Sequence, residues 1–501
     1  MSKNIKEKKG DYDSHFSNIA KQSTINFIGR IVHMGFSFII DVFLARVLGP
    51  VFLGRYRLGT TIVNFTSNFT KIGFDQGFIR YIPIYKNKNQ FGKIKYLITL
   101  SYLISLLLSI TVGVMLFFGA DFLAINFFNE SEMSMVLKLS SILLVVFTFY
   151  RLSNSILTAI KRVDYLTIIN YIVVPIAFLL PLVTYETMNL IQAFWLRIAS
   201  YSLGIFLMVF IVYNKEKFMY ANYKKVNFTK YMKFSIPLLF INLLYFLISN
   251  IDILMIGYFL TSKDVGIYSV SVRISMITLF VLRSINSIFG PVISELVSQN
   301  KINELEKLLK SINKIIFLFS FNYLVFVFIF RKEILLVFGE EFILSNIVLV
   351  ILTFGQFAKS VSGPIGTVLI MSGKQKYEVW NSVLICILNI ILNLLFIPSY
   401  GIVGAALATM LSIVIINIIK ILEIYKEFKF VPYKKSIFKV FLFGLVSFLF
   451  LQILSFLDIN YLIKLLSGVV LSLFINTWLF VKFGIEKDDQ LIINKFKSKF
   501  L

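Results

Sequence analysis

Charged side chains stand in this sequence where an apolar chain should not hold them. Within long hydrophobic runs lie Arg30, Asp41, Lys71, Asp75, Arg151, Asp252, Arg273, Arg283 and Lys359. A charge at the centre of a membrane helix costs on the order of 3 kcal/mol even on lenient insertion scales. Each must therefore face a partner or a water-accessible interior. Six of the nine are cationic. Arg and Lys are the side chains that hold phosphate and pyrophosphate oxygens. The chemistry on offer is anion binding.

The spacing groups these residues on helix faces. In the first apolar run Asn26, Arg30, His33, Ser37 and Asp41 follow steps of four, three, four and four, one continuous stripe. Arg30 to Asp41 covers about 16 Å of helix. Asn242, Tyr245, Ser249 and Asp252 make a matching stripe later in the chain. Asn64, Asn68, Lys71 and Asp75 share a face, as do Thr148, Arg151, Ser155 and Thr158. Ser269, Arg273, Arg283 and Ser287 lie on one broad face. Gln356, Lys359 and Gly363 precede Pro364, which should bend its helix. Ser382, Asn389 and Asn393 form a further polar set. Arg30, Lys71, Arg151, Arg273, Arg283 and Lys359 are expected to line a cationic cavity. Asp41 and Asp252, near the outer span ends, and Asp75 are expected to gate or brace the structure. Arg80 and Arg197, near span ends, are expected to snorkel. His33 reads as a satisfied polar residue rather than a proton relay.

Other chemistries have no residues to carry them. There is one cysteine, Cys386, and two histidines, His15 and His33. No metal-ligand spacing occurs, and no cofactor is expected. The longest outer loop has roughly fifteen residues and no acid–base constellation, so no catalytic residue is assigned and an enzyme is not expected.

The elements that position these residues are membrane spans. The 501 residues are 58% hydrophobic and only 15% charged, with mean hydropathy +0.83. The expectation is an all-α polytopic membrane protein with about fourteen spans, each near 20 residues long. The polar start MSKNIKEKKGDYDSHFSNIAKQS lacks the apolar core and cleavage site of a secretory signal. The expected organisation is a tail, 1–23; six spans, 24–212; a basic linker, 213–233; six more spans, 234–423; a final pair, 424–482; and a tail, 483–501. Alternate loops carry the lysines: Lys86 to Lys95; Lys161 and Arg162; the linker; Lys301 to Lys314; Lys374 and Lys376; and Lys426 to Lys435. The positive-inside rule places these loops and both tails in the cytoplasm of a multi-pass cell-membrane protein. The net charge of +24 then belongs to loops facing cytoplasm and anionic lipid, not to nucleic acid.

A repeat runs through the chain. At an offset of 212, Ser37 falls on Ser249, Gly54 on Gly266, Tyr56 on Tyr268, Lys71 on Arg283, Tyr165 on Tyr377 and Ala193 on Ala405. Six spans per half give both halves the same orientation. The expectation is two six-helix lobes related by an axis along the membrane normal, with a site at their interface.

LARVLGPVFLGRYRL (44–58), NIDILMIGYFLTSKDVGIYSVSVRI (250–274), KYEVWNSVLICILNIILNLLFIP (376–398) and IPSYGIVGAALATMLS (397–412) carry a resemblance. With the repeat, it covers roughly residues 20–485. The chain resembles the polysaccharide-unit (O-antigen type) flippases of the multidrug/oligosaccharidyl-lipid/polysaccharide exporter superfamily. The resemblance implies alternating-access transport of a polyprenyl-pyrophosphate-linked glycan across the cytoplasmic membrane. Its implied partners are that lipid-linked glycan, membrane lipids and other glycan-assembly proteins, with the chain itself a monomer. Related peptidoglycan-precursor flippases use arginines in the first, second and eighth spans. Arg30 and Arg273 match the first and eighth; Lys71 and Arg80 both remain open for the second. The final span pair resembles helices that form a lipid groove in those flippases. A cation-coupled multidrug or metabolite antiporter of the same superfamily is the second reading, with Na+ or H+ coupling open in either case. Twelve spans and an acidic interior would favour it; the extra spans and basic interior here do not.

Overall fold

A computed structural model of the chain describes residues 2–184, 188–486 and 489. For residues 2–28, 30, 287 and 288 it describes the backbone alone. The expected polar tail at 483–501 therefore lies mostly outside the described residues. So does the side chain of Arg30.

The described residues form helices and no strand. The chain divides into two compact units, Met1–Phe246 and Leu247–Leu501. The first holds α1 (Ser2–Thr70), α2 (Phe74–Asn87), α3 (Phe91–Phe118), α4 (Ala120–Asn126), α5 (Met133–Ala159), α6 (Val163–Ile168), α7 (Val174–Thr184) and α8 (Leu190–Lys215). The helix α9 (Phe228–Phe259) crosses the division. The division thus falls inside an apolar helix, a few turns beyond the basic linker. The second unit continues with α10 (Ser262–Ser275), α11 (Phe280–Ser298), α12 (Ile302–Leu336), α13 (Asn346–Ser362), α14 (Ile365–Met371), α15 (Gln375–Phe428), α16 (Ile437–Phe456) and α17 (Tyr461–Leu479). Among the described residues, twelve helical stretches are long and apolar enough to cross a membrane.

Two of those stretches are broken at a glycine. Gly49 (φ 69°) interrupts α1, and Gly401 (φ 58°) interrupts α15. Both sit in backbone that favours glycine. Pro50 and Pro398 flank the breaks.

In the first unit α5 is the hub, packed by α1, α2, α3 and α8. Its approach to α3 follows from a row of small residues. Ser101, Ser105, Ser109 and Gly113 recur every four residues and are all buried. A methyl at Gly113 would lie 3.2 Å from the Ser141 carbonyl oxygen. Small residues at that spacing let membrane helices approach closely.

In the second unit α13 packs against α10, α12 and α15, and α12 carries the last helix pair. Gly444 of α16 lies under the Phe321 ring and Gly468 of α17 under the Phe330 ring, both rings on α12. Asn476 of α17 donates to the Ser447 hydroxyl of α16. The pair is therefore docked on α12 by van der Waals fit, and a buried hydrogen bond ties its two helices to each other. The large side chains left exposed on it, among them Leu449, Phe456, Leu466 and Phe474, suit hydrocarbon.

Candidate functional site

The sequence-expected cations differ in burial. Lys71 is committed to a partner: its Nζ lies 2.9 Å from Asp75 Oδ2, one turn on, and both side chains are buried. The break between α1 and α2, with Ile72 and Gly73 at positive φ, brings the two together. Arg151, Arg273, Arg283 and Lys359 keep exposed surface, although each lies in a helical stretch of spanning character. Exposed charge on such a helix belongs against water or a ligand, not against lipid.

The cations also gather within each unit. In the first, Arg151 on α5 is within electrostatic reach of Lys71, and its guanidinium lies 5.9 Å from the Phe147 ring centroid. In the second, Lys359 on α13 is within reach of Arg283 on α11 and of Lys420 and Glu378 on α15. Lys420 Nζ is 2.6 Å from Glu378 Oε1, which fixes one charge of that group. The interruption of the tenth span expected at Pro364 is present: α13 ends at Ser362, and Gly363 adopts φ 77° before α14 begins. Arg273 and Arg283 fall on either side of a 3-10 turn, Met276–Leu279.

The acids differ sharply from one another. Asp41 on α1 takes the Arg57 guanidinium at 2.5 Å. Asp252 on α9 takes the Tyr268 hydroxyl at 2.6 Å and its neighbour's backbone N–H at 3.0 Å. Tyr268 also contacts Thr409. Asn389 donates to Thr409 at 3.2 Å, and Asn393 donates to Asn389 Oδ1 at 3.0 Å. This chain of neutral oxygens runs from α9 through α10 into both halves of α15. Asn393 Oδ1 is buried with no hydrogen-bond donor among the described residues. A carboxylate with several neutral side-chain oxygens and an orphaned amide oxygen is a donor set that suits a hard cation.

Some buried charges were not legible beforehand. Arg197, expected to snorkel, donates Nε to the Tyr56 hydroxyl at 2.7 Å and stacks 3.8 Å from the Phe178 centroid. Aromatic faces hold a guanidinium inside a helix bundle. Lys314, expected in a basic loop, is fully buried on α12, 2.7 Å from Asp489. Arg57 follows Tyr56 without a periodic signal, so nothing in the sequence marked it. His33 lies 3.4 Å from the Ser37 hydroxyl across one turn and packs on Tyr171.

Comparisons with known proteins agree with this architecture. Residues 237–395 match the MatE family. A probable low-salt glycan biosynthesis flippase, Agl15 of Haloferax volcanii, is 33% identical over 165 residues, which is 33% of this chain and 35% of that protein. The matches to this relative and to a capsular polysaccharide biosynthesis protein of Staphylococcus aureus span about a third and a half of those proteins. The fold is that of a solved structure of the lipid II flippase MurJ in an inward closed conformation. That comparison has a TM-score of 0.69 at 17% identity, covering 92% of this chain and 99% of the other. An inward-facing multidrug resistance MATE family transporter of the MOP superfamily gives 0.65 at 12% identity, covering 79% and 94%. Residues 19–297, more than half of the sequence, match the polysaccharide biosynthesis protein family, and the chain belongs to that family.

Proposed function

We propose that this protein is a transporter, not an enzyme, and that it moves a polyprenyl-pyrophosphate-linked glycan across the cytoplasmic membrane by alternating access. The carrying observation is the exposed charge of Arg151, Arg273, Arg283 and Lys359 on apolar spanning helices. Cations of this kind suit a pyrophosphate headgroup and are poorly suited to cationic drugs. Arg30 belongs to the same proposed set by its place on the first span, and Lys71 supports it through Asp75. Membership of the polysaccharide biosynthesis family points the same way.

The architecture in this reading is fourteen spans in two six-span lobes plus a final pair. Broken at Gly49 and Gly401, two of the twelve apolar stretches each supply two spans, since 40 and 54 residues far exceed one bilayer crossing. Element ends support the repeat of 212 residues. Gly49 corresponds to the break at Thr261, Ala159 and Val163 to Met371 and Gln375, and Asn189 to Gly401. The lysine-bearing loops put both ends of the chain in the cytoplasm. A monomer suffices for this reading.

Asp252 is the place for a coupling cation, with Asn389, Asn393, Thr409 and Tyr268 to help hold it. A bound cation would supply positive charge to a carboxylate that is otherwise buried at a cost. Asp41 is less suited, because Arg57 already neutralises it.

A combined Arg151→Ala, Arg273→Ala, Arg283→Ala, Lys359→Ala variant tests the reading in a complemented deletion strain. Loss of surface-glycan export with normal membrane abundance supports it. Unimpaired export would sink it.

A further inference from the structure

We propose that Arg57 and Arg197 act as tethered cations that close the first unit's acid, Asp41, to ions, leaving Asp252 of the second unit as the exchangeable site. This rests on the repeat and the coupling reading above.

The two units place the same framework around each acid. Tyr56 and Tyr268 correspond at the offset of 212, and both are buried. Each commits its hydroxyl to a charged group: Tyr56 accepts from Arg197, and Tyr268 donates to Asp252. Asp41 and Asp252 are both buried and stand one residue from strict correspondence.

What surrounds the framework is exchanged. Arg57 corresponds to Ser269, and Arg197 to Thr409. Asn389 and Asn393 correspond to Ala177 and Pro181. The second unit thus has two hydroxyls and two amide oxygens where the first has two guanidinium groups and no side-chain oxygen. Ser269 turns its hydroxyl onto the Gly266 carbonyl at 2.8 Å and adds no charge. Arg57 meets Asp41 directly, at 2.5 Å. Arg197 is within electrostatic reach of Asp41 and is fixed by Tyr56, Phe178 and Tyr201.

The electrostatic consequence is a difference in sign. One acid with two arginines leaves the first cluster with net positive charge. One acid with neutral oxygens leaves the second net negative. A free cation is repelled from the first and attracted to the second. Two lobes built on one plan would then couple through one of them only.

The test is equilibrium binding of radioactive Na+ to the purified full chain. Asp41→Asn in the otherwise native protein should leave bound Na+ unchanged. The double variant Arg57→Ser, Arg197→Thr should gain a component that Asp41→Asn removes and Asp252→Asn does not. Arg57→Lys, Arg197→Lys keeps the charges and should gain none. Should the Ser/Thr variant not purify as a folded species, Arg57→Gln, Arg197→Gln takes its place with the same expectation. The proposal is overturned if Asp41→Asn lowers Na+ binding in the native background, or if the folded neutral variants gain no Asp41-dependent component. Failure of the coupling reading looks different: the native chain would bind no Asp252-dependent Na+, while the neutral variants still gained the Asp41-dependent component.

Discussion

Tyr268 donates its hydroxyl to Asp252 Oδ2 at 2.6 Å, holding a carboxylate of α9 against α10 with both groups buried. The contact spans sixteen residues and the helix break at Thr261, whose own side chain caps α10 together with Asp264. Removing the hydroxyl strips a buried carboxylate of a donor, which costs about 1–3 kcal/mol. Tyr268→Phe should lower the thermal midpoint of the purified protein. In a double-mutant cycle with Asp252→Asn, the two losses should be non-additive by about 0.5–3 kcal/mol. Strict additivity would mean that the contact does not form. Asp252→Asn should also abolish any dependence of transport on Na+ or H+, read by collapsing each gradient separately.

Lys71 and Asp75 form a buried pair one turn apart. Breaking such a pair leaves an uncompensated buried charge and costs about 3–5 kcal/mol, whereas replacing both by apolar groups is often nearly neutral. Lys71→Met and Asp75→Leu should each destabilise the protein strongly, and the double variant should recover most of the loss. Thermal unfolding in detergent measures all three. If Lys71→Met alone is neutral for stability but lowers transport, Lys71 contacts substrate rather than bracing the helix break.

The stretch after α17 returns to the second unit through Asp489. Its carboxylate lies 2.7 Å from Lys314 on α12, and Lys434 reaches Glu486 at 3.3 Å and Ser311 at 3.2 Å. Burial pushes the Asp489 carboxyl up, but hydrogen bonds from Lys314, the Glu486 backbone and Ser311 outweigh it and hold it below its ordinary value. The group is thus more acidic folded than unfolded. Its stabilisation is complete above the unfolded value of about 3.9 and is lost as pH falls through the lower folded value. Asp489→Asn should therefore lower the thermal midpoint by a constant amount from pH 5 to pH 8. Because the pair is buried, 0.5 M salt should change that difference little. A difference that vanishes in salt would place the pair at the surface instead.

Asp121, on the short helix α4, offers a contrasting exposed case. Hydrogen bonds from Ser134 and Lys138 hold its carboxyl below the usual range. Exposure leaves such a contact worth little. Asp121→Asn should leave the thermal midpoint within experimental error, unlike Asp489→Asn.

The sequence and the structure meet at different depths for different residues. Span positions were legible because an apolar stretch of bilayer length has few other uses. The break at Pro364 was legible because proline acts locally. Arg151, Arg273, Arg283 and Lys359 stand out in the sequence because a cation in an apolar run has few stable environments. Partners across the fold were not. Arg197 and Tyr56 are 141 residues apart, and Lys314 and Asp489 are 175 apart. Nothing in periodicity selects such pairs. Lys314 sits at the edge of a lysine-rich stretch, so its charge read as a loop charge, although α12 carries it inward. Arg197 sits near the end of its apolar run, where snorkelling is the ordinary outcome. The aromatic faces of Phe178 and Tyr201 instead keep it inside the unit.

The central claim is that exposed span cations handle a pyrophosphate-linked lipid. Purified full-length protein can be reconstituted into liposomes carrying a polyprenyl-pyrophosphate glycan in both leaflets. The readout is the fraction of that glycan reached by a membrane-impermeant labelling reagent over time. The account predicts that the native chain brings the inner-leaflet pool to the outside, and that the Arg151, Arg273, Arg283 and Lys359 to alanine variant matches protein-free liposomes. It would be contradicted by a native chain no faster than protein-free liposomes, or by a folded quadruple variant as fast as the native chain.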